Sequence, residues 1–235
     1  MSGSLVEKRI RLLRVDLCDP DAAKAAIAEA KPHVVVHLAS TPFNPPPTVA
    51  LHLQVNVLGL ANLVHAVADR SGVRVIHAGS AAQYGDGDIL DEATAQRPTT
   101  WLGISKTCAA AVLHGAGRMY GLETIELRLF TPFGPWERAG RLIPHTILSA
   151  LRGEPVALGD GRSERDFVYV DDVVDALTRV MVRPVPSGSV MNIGSGIYGG
   201  QVHDSVGALG NVIGEVAAAD GPASSRLTGE MASSS

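Results

Sequence analysis

His33-Val34-Val35-Val36-His37-Leu38, entered from Pro32 and left through Ala39, decides the fold. It reads as a continuous apolar run too short for a helix, the pattern of a strand buried on both faces of a parallel sheet. Ahead of it, Asp19-Pro20 supplies an N-cap with proline at the first helical position, so a helix is expected over Ala22 to Ala30. Ile10 to Val15 reads as an earlier short strand. Beyond the run, the proline-rich loop Thr41 to Pro47 leads into a helix to about Asp69, whose Val55, Leu58, Ala61, Leu63 and Val67 fall near helical spacing. Strands are expected at Arg74 to Ala78 and Glu123 to Leu129, separated by a helix from Pro98 to about Tyr120. This repeated strand-helix rhythm predicts an α/β fold, a doubly wound parallel sheet with right-handed crossovers.

The rhythm loosens after Arg141. A helix over Leu142 to Leu151, short strands at Val156 to Leu158 and Phe167 to Val170, a helix over Asp171 to Met181 and a strand at Ser189 to Ile193 are expected. The domain reading is therefore an incomplete Rossmann-like domain over 1–140, a small substrate-binding lobe over 141–220 partly interleaved with the sheet, and a flexible Ala/Ser/Gly-rich tail over 221–235.

The 235 residues carry 20 Lys and Arg against 24 Asp and Glu, a formal charge of -4 with no long like-charge run. That balance argues against nucleic acid and against a polybasic membrane anchor as partners. Cys18 and Cys108 cannot build a disulfide framework, and no leader or long apolar span is evident, so a cytoplasmic location is expected. Eight histidines show no metal-ligand spacing, and no metal site is expected. Trp101 and Trp136 stand where they can cover a pocket mouth, although local packing is the ordinary role of a single loop aromatic.

A series of motifs carries a more specific reading. In order they are Asp16-Leu17, His37-Leu38-Ala39, Asn56-Val57-Leu58-Gly59, Ala78-Gly79-Ser80-Ala81-Ala82-Gln83-Tyr84-Gly85, Gly103-Ile104-Ser105-Lys106, Arg128 to Pro135, Arg165 to Asp172 and Asn192 to Gly196. Their order and spacing resemble extended short-chain dehydrogenases/reductases of the NAD-dependent nucleotide-sugar epimerase/dehydratase kind. The resemblance implies NAD or NADP as cofactor and a nucleotide sugar as ligand. It implies catalytic roles for Ser80 and Lys106, cofactor contacts from Asp16, Leu17, His37, Leu38, Ala39 and Lys106, and substrate contacts from Ser80, Thr131 and Arg165. It also implies a homodimer through the helices near 48–69 and 99–120.

Three departures shape the functional expectation. Hydride transfer between a sugar carbon and nicotinamide requires a group that exchanges the hydroxyl proton, in this family a Tyr four residues before the active-site Lys. Here that position is Leu102, and leucine cannot move a proton. The 4,6-dehydratases carry an Asp-Glu pair directly after the active-site hydroxyl, whereas this chain has Ala81-Ala82, which leaves 4-epimerisation or 4-keto reduction. The family's opening strand, Gly-x-x-Gly-x-x-Gly turn and helix, which hold the dinucleotide pyrophosphate, do not occur in the sequence, because Met1 to Lys8 runs almost directly into what resembles a third strand. The fold expected is thus a Rossmann-like sheet lacking its first strand-helix-strand unit. The strands at Ile10 to Val15 and His33 to Leu38 must then pair directly, leave edges open or borrow a strand. The activity expected is an impaired relative of the 4-epimerases or 4-ketoreductases; the alternatives are a non-catalytic scaffold or dimer partner and a non-redox enzyme using the sugar-side pocket.

Overall fold

Asp19 opens the ordered architecture by accepting hydrogen bonds from the backbone N–H groups of Asp21 and Ala22, which starts helix α1 at Pro20–Ala30. In this computed structural model the described residues are 10–41, 46–87, 89–156 and 164–196. α1 ends at Lys31 in the left-handed conformation and leads into strand β1, Val34–His37. The long helix that follows is α2 (Val49–His52), a π-helical turn (Leu53–Leu58) and α3 (Gly59–Ala66) in succession. Strand β2 (Arg74–Ser80), helix α4 (Trp101–Tyr120) and strand β3 (Glu123–Leu129) complete the repeat. The remaining elements are β4 (Thr131–Phe133), α5 (Leu142–Arg152), β5 (Phe167–Tyr169), α6 (Val170–Val182) and β6 (Ser189–Ile193).

The main sheet has the order β1-β2-β3-β6, with β1 parallel to β2 and β2 parallel to β3. This is an α/β, Rossmann-like parallel sheet, as the sequence rhythm predicts. Its core joins Leu60, Leu63 and Val64 of α3 to Ala109, Leu113 and Ala116 of α4, with Val75 of β2 and Ile27 of α1. Burial of these aliphatic side chains holds the helices to the sheet, each contributing roughly 1.5–3 kcal/mol when large and fully buried. Leu60, Leu63 and Val64 of the helix at Val49–Ala66 are thus spent on the protein interior.

Two expectations are corrected. Ile10 to Val15 is not a strand: residues 10–16 form no regular element, and Ile10 and Leu12 are exposed. A strand needs a neighbouring strand to satisfy its backbone groups, and this segment has none among the described residues. β1 is not buried on both faces either: it pairs with β2 alone among the described residues, and Val34, Val35 and Val36 are only half-buried. The strand reading at Val156 to Leu158 lies largely outside the described residues, as does the tail from residue 221.

The chain forms two units. The first comprises described residues within 1–129 and 176–192, and the second those within 130–175 and 193–235. In the second, β4 and β5 make a two-stranded parallel ladder with Thr131 opposite Phe167 and Phe133 opposite Tyr169.

Candidate active site

The first unit gathers its polar residues where the carboxyl ends of β1 and β2 meet α4. Ser80 ends β2 and caps the 3-10 turn Ala81–Gln83: its Oγ accepts from the Ala82 N–H at 3.2 Å, while its own N–H donates to Gln83 Oε1 at 2.7 Å. α4 starts one loop later, with Thr100 as N-cap to the Gly103 N–H. Gly103 packs directly on this turn, since a Cβ there would lie 2.1 Å from the Ala82 carbonyl oxygen. That close approach fixes the register of α4 against the Ser80 turn.

One helical turn separates Leu102 from Lys106, so the two share a face of α4. Lys106 is buried, and its Nζ donates to the Ala78 carbonyl at 2.7 Å, two residues before Ser80 on β2. Burial pushes its pKa down to about 8, against the opposing pull of Glu126. Leu102 is half-buried. Lys106 is thereby fixed to β2 two residues before Ser80, and the Leu102 position offers no hydroxyl.

Asn56 ties the long helix to this site. It lies in the π-helical turn, fully buried, donates from Nδ2 to Ser105 Oγ at 2.9 Å and accepts from the Thr41 N–H at 2.9 Å. The widened turn carries Asn56 to both partners at once, a local irregularity of the kind found at functional sites.

Beneath Ser80 and Lys106 lies a layer of titratable groups of which His37, Tyr84 and Arg128 stand in the sequence motifs and His77, His114 and Glu126 do not. The sheet register aligns His37 with His77 and His77 with Glu126, placing all three in one row across β1, β2 and β3. His37 Nδ1 and His77 Nδ1 are 2.9 Å apart, with the rings stacked at 5.1 Å. Burial and the neighbouring Lys106 charge depress both imidazoles, His37 to about 4 and His77 well below its ordinary value. Glu126 is fully buried, accepts from Gln83 Nε2 at 2.7 Å and Arg128 Nη2 at 3.3 Å, and lies 3.4 Å from His114 Nε2. Burial pushes its carboxyl up, but bonds from His114 and Gln83 and the Arg128 guanidinium outweigh that and hold it below the usual range. Arg128 in turn donates to the Tyr84 hydroxyl at 2.8 Å, and that hydroxyl donates to Asn192 Oδ1 at 2.7 Å. Tyr84 is thus committed within the interior and holds the layer together. The sequence signal for this layer is alternation: Thr124, Glu126 and Arg128 interleave with Ile125, Leu127 and Leu129 along β3.

The other expected site residues are placed as follows. Asp16 is exposed and accepts from the Cys18 N–H at 2.9 Å. Leu17 packs at the edge of the core, and its carbonyl accepts from Asn62 Nδ2 at 2.9 Å. His37 is turned inward to His77, while Leu38 and Ala39 are exposed just beyond the end of β1. The Cys18 thiol is pushed up by burial and by Asp16 and is no activated nucleophile. In the second unit, the Thr131 N–H donates to the Asp166 carbonyl at 2.9 Å, which brings Thr131 and Arg165 to the same end of the β4-β5 ladder. Arg165 is exposed and donates to the Glu164 carbonyl at 2.7 Å. The Asp166 carboxylate instead accepts from the Ser195 N–H and Oγ, each at 2.7 Å.

Parallel strands ending in a capped serine turn, with a buried lysine one helix away, gather these polar groups at the carboxyl edge of a Rossmann-like sheet, the edge at which open α/β sheets bind ligands. The chain belongs to the NAD dependent epimerase/dehydratase family, whose sequence profile matches residues 2–194. It is 28% identical over 205 residues to a protein described as an uncharacterized UDP-glucose epimerase, YtcB, of Bacillus subtilis, covering 83% of this chain and 62% of that protein. It is 30% identical over 190 residues to a dTDP-glucose 4,6-dehydratase of Mycobacterium tuberculosis, covering 76% of this chain and 55% of the relative. Among solved structures it resembles MoeE5 in complex with UDP-glucose and NAD, with a TM-score of 0.76, 32% identity and coverage of 86% of this chain and 68% of that one. The UDP-glucose 4-epimerase of Thermus thermophilus, complexed with NAD, gives a TM-score of 0.77 at 27% identity, with 88% and 70% covered. The chain spans 55% to 62% of the length of the two curated relatives described here.

Proposed function

We propose that this chain binds a nucleotide sugar at a site of the 4-epimerase or 4-ketoreductase kind, and that hydride transfer there is impaired. The observation that carries the reading is the trio on β2 and α4: Ser80 and Lys106 are held in place, and Leu102 stands on the Lys106 face where a proton carrier is needed. Ser80 keeps a hydroxyl hydrogen to share with a sugar oxygen. An ammonium carries three donors, and Lys106 directs one to Ala78, so the rest can reach a ribose hydroxyl. Together with the exposed Leu38 and Ala39, these residues fit the nicotinamide-ribose end of a dinucleotide. When bound, that cofactor supplies the hydride acceptor. For the pyrophosphate end, the loop from Leu38 to Thr48 between β1 and α2 contains no glycine. Ala81 and Ala82 carry no acid or base, which disfavours 4,6-dehydration by this site.

The test is calorimetric titration of the folded chain with NAD, NADP and UDP-glucose, followed by turnover of the natural chain and of Leu102→Tyr. Binding with turnover only in Leu102→Tyr supports the reading. Equal turnover by the natural chain overturns the impairment, and no binding by either form overturns the site assignment.

A role as scaffold or dimer partner is supported by one further observation. Leu51, Leu53 and Leu58 of the long helix are 37%, 43% and 47% exposed, and Trp101 opens α4 with half its surface free. A homodimer through the helices near 48–69 and 99–120 would cover apolar surface of this kind. The balanced charge of -4 leaves nucleic acid and anionic membrane as disfavoured partners.

A further inference from the structure

Between Ser80 and α4 the chain folds into a loop from Tyr84 to Arg97 whose base is pinched. The Arg97 N–H donates to the Tyr84 carbonyl at 3.1 Å, and Gly85, at φ +77 degrees, lies so close that a Cβ would meet the Arg97 carbonyl oxygen at 2.1 Å. Backbone conformation and close approach both exclude a side chain there. Further out, the Asp91 N–H donates to Thr94 Oγ1 at 3.1 Å and that hydroxyl donates to Asp91 Oδ1 at 2.8 Å, so the tip has its own rigid turn. Compact loops with joined ends frequently carry function.

Asn192 fastens this loop to β6, and every group involved belongs to the first unit. Its N–H donates to Glu92 Oε1 at 2.7 Å, and its Nδ2 donates to the Leu90 carbonyl at 3.1 Å. Its Oδ1 accepts from the Tyr84 hydroxyl at 2.7 Å. The direction of that last bond is forced. A guanidinium has donors only, so the hydroxyl accepts from Arg128 and directs its single proton to Asn192. From Arg128 the bonds run back to the site: Arg128 Nη2 donates to Glu126 at 3.3 Å, Gln83 Nε2 donates to Glu126 at 2.7 Å, and Gln83 Oε1 accepts from the Ser80 N–H at 2.7 Å. β3 lies between β2 and β6 in the sheet, so the loop links two strands that do not themselves pair. Ser80 and Asn192 are thus joined by an unbroken series of hydrogen bonds, each made by a different pair of atoms.

We propose that Asn192 is a positioning residue for Ser80: by fastening the loop to β6 it fixes the turn that presents the Ser80 hydroxyl to a sugar oxygen. The proposal rests on the nucleotide-sugar reading above and names the element that holds its sugar contact in place. Asn192 acts through Tyr84 and Gln83 and itself touches no ligand.

The experiment measures the calorimetric affinity of the full chain for UDP-glucose, and for UDP as the sugar-free control, across the natural chain, Ser80→Ala, Asn192→Leu and the double variant. Asn192→Leu is expected to weaken UDP-glucose binding roughly tenfold and to leave UDP binding unchanged, while adding less than about twofold in the Ser80→Ala background. Amide exchange gives an independent reading: residues 81–84 are expected to exchange roughly tenfold faster in Asn192→Leu, relative to Val75 and Ile76 of β2. Asn192→Asp keeps an acceptor for the Tyr84 hydroxyl and is expected to retain most of the affinity. Should Asn192→Leu fail to fold, Glu92→Ala, which removes only the exposed hook, carries the same test with the same expected direction. Natural UDP-glucose affinity in the variant, or an equal loss with and without the Ser80 hydroxyl, overturns the positioning role and leaves the nucleotide-sugar reading standing. If the folded natural chain binds no UDP-glucose, that reading falls and the positioning role falls with it.

Discussion

His37 Nδ1 faces His77 Nδ1 at 2.9 Å across the β1-β2 seam, and the Nε2 atom of each ring is buried without a hydrogen-bond partner. One Nδ1 must carry a proton and the other accept it, so the pair is compatible with two neutral rings and incompatible with two imidazoliums. Lys106 enforces neutrality from α4, and His114, about two helical turns further along α4, faces the same layer. This buried arrangement makes the interior sensitive to acid.

Acidification is predicted to destabilise the fold through these rings. The unfolded His37 takes up a proton near pH 6.5 and the folded one only near about 4. The unfolded state therefore binds more protons in that window, and stability present above pH 6.5 is lost as pH falls toward 4, by on the order of 3 kcal/mol for His37. Urea unfolding at a series of pH values checks this, with His37→Leu/His77→Leu expected to flatten the slope. An equally steep slope in the double variant sinks the assignment.

Alkaline conditions are predicted to act in the opposite sense through Lys106. Its folded pKa of about 8 lies below the ordinary lysine value of 10.5, so the folded chain releases its proton first and stability rises between pH 8 and 10.5, by on the order of 3 kcal/mol. Lys106→Met should abolish that rise. A rise that persists in Lys106→Met would have to come from another group.

Glu126 anchors the buried layer by accepting from both Gln83 and Arg128. Glu126→Leu leaves the Arg128 guanidinium buried beside the Tyr84 ring without its counter-charge, and is predicted to cost about 3–5 kcal/mol. Glu126→Gln, which preserves shape and part of the bonding, should cost less. Chemical denaturation of the two variants reads the difference, and equal losses would show that the shape and bonding kept by Gln contribute nothing beside the lost charge.

Gly103→Ala is predicted to destabilise by about 1–3 kcal/mol, because the added methyl meets the Ala82 backbone carbonyl and the Pro98 ring rather than a movable side chain. Gly115 on the same helix has open space, and Gly115→Ala should be neutral or mildly stabilising. Thermal melts of the pair test the contrast; similar behaviour would show that α4 shifts freely against the Ser80 turn.

Much of this architecture is legible from local physics. Asp19-Pro20 marks the start of α1, Gly121 follows the end of α4 in the left-handed conformation, and β3 and β6 have the boundaries expected from the sequence. That Lys106 meets β2 near Ser80 is also readable, because a motif ties sequence spacing to placement. The failures have a common cause. Whether Val34 to Val36 lie in the middle or at the edge of a sheet depends on neighbours contributed from elsewhere, and an apolar run is silent about them. The histidine pair is hidden for the same reason: His37 and His77 are 40 residues apart and meet only through strand register.

Arg74 sends one guanidinium to Glu123 at 2.8 Å on the neighbouring strand and to the carbonyls of Val180 and Arg183, at 2.8 and 2.7 Å, where α6 ends more than a hundred residues later. The first unit is consequently assembled from two stretches of sequence, and the Arg74 side chain bonds to both. A gene fragment ending at Leu129 would encode β1, β2 and β3 and still leave the Arg74 bonds to Val180 and Arg183 unmade. Domain-boundary choices for expression, and any attempt to transplant this unit onto another protein, must therefore carry the segment around residues 176–192 along with it.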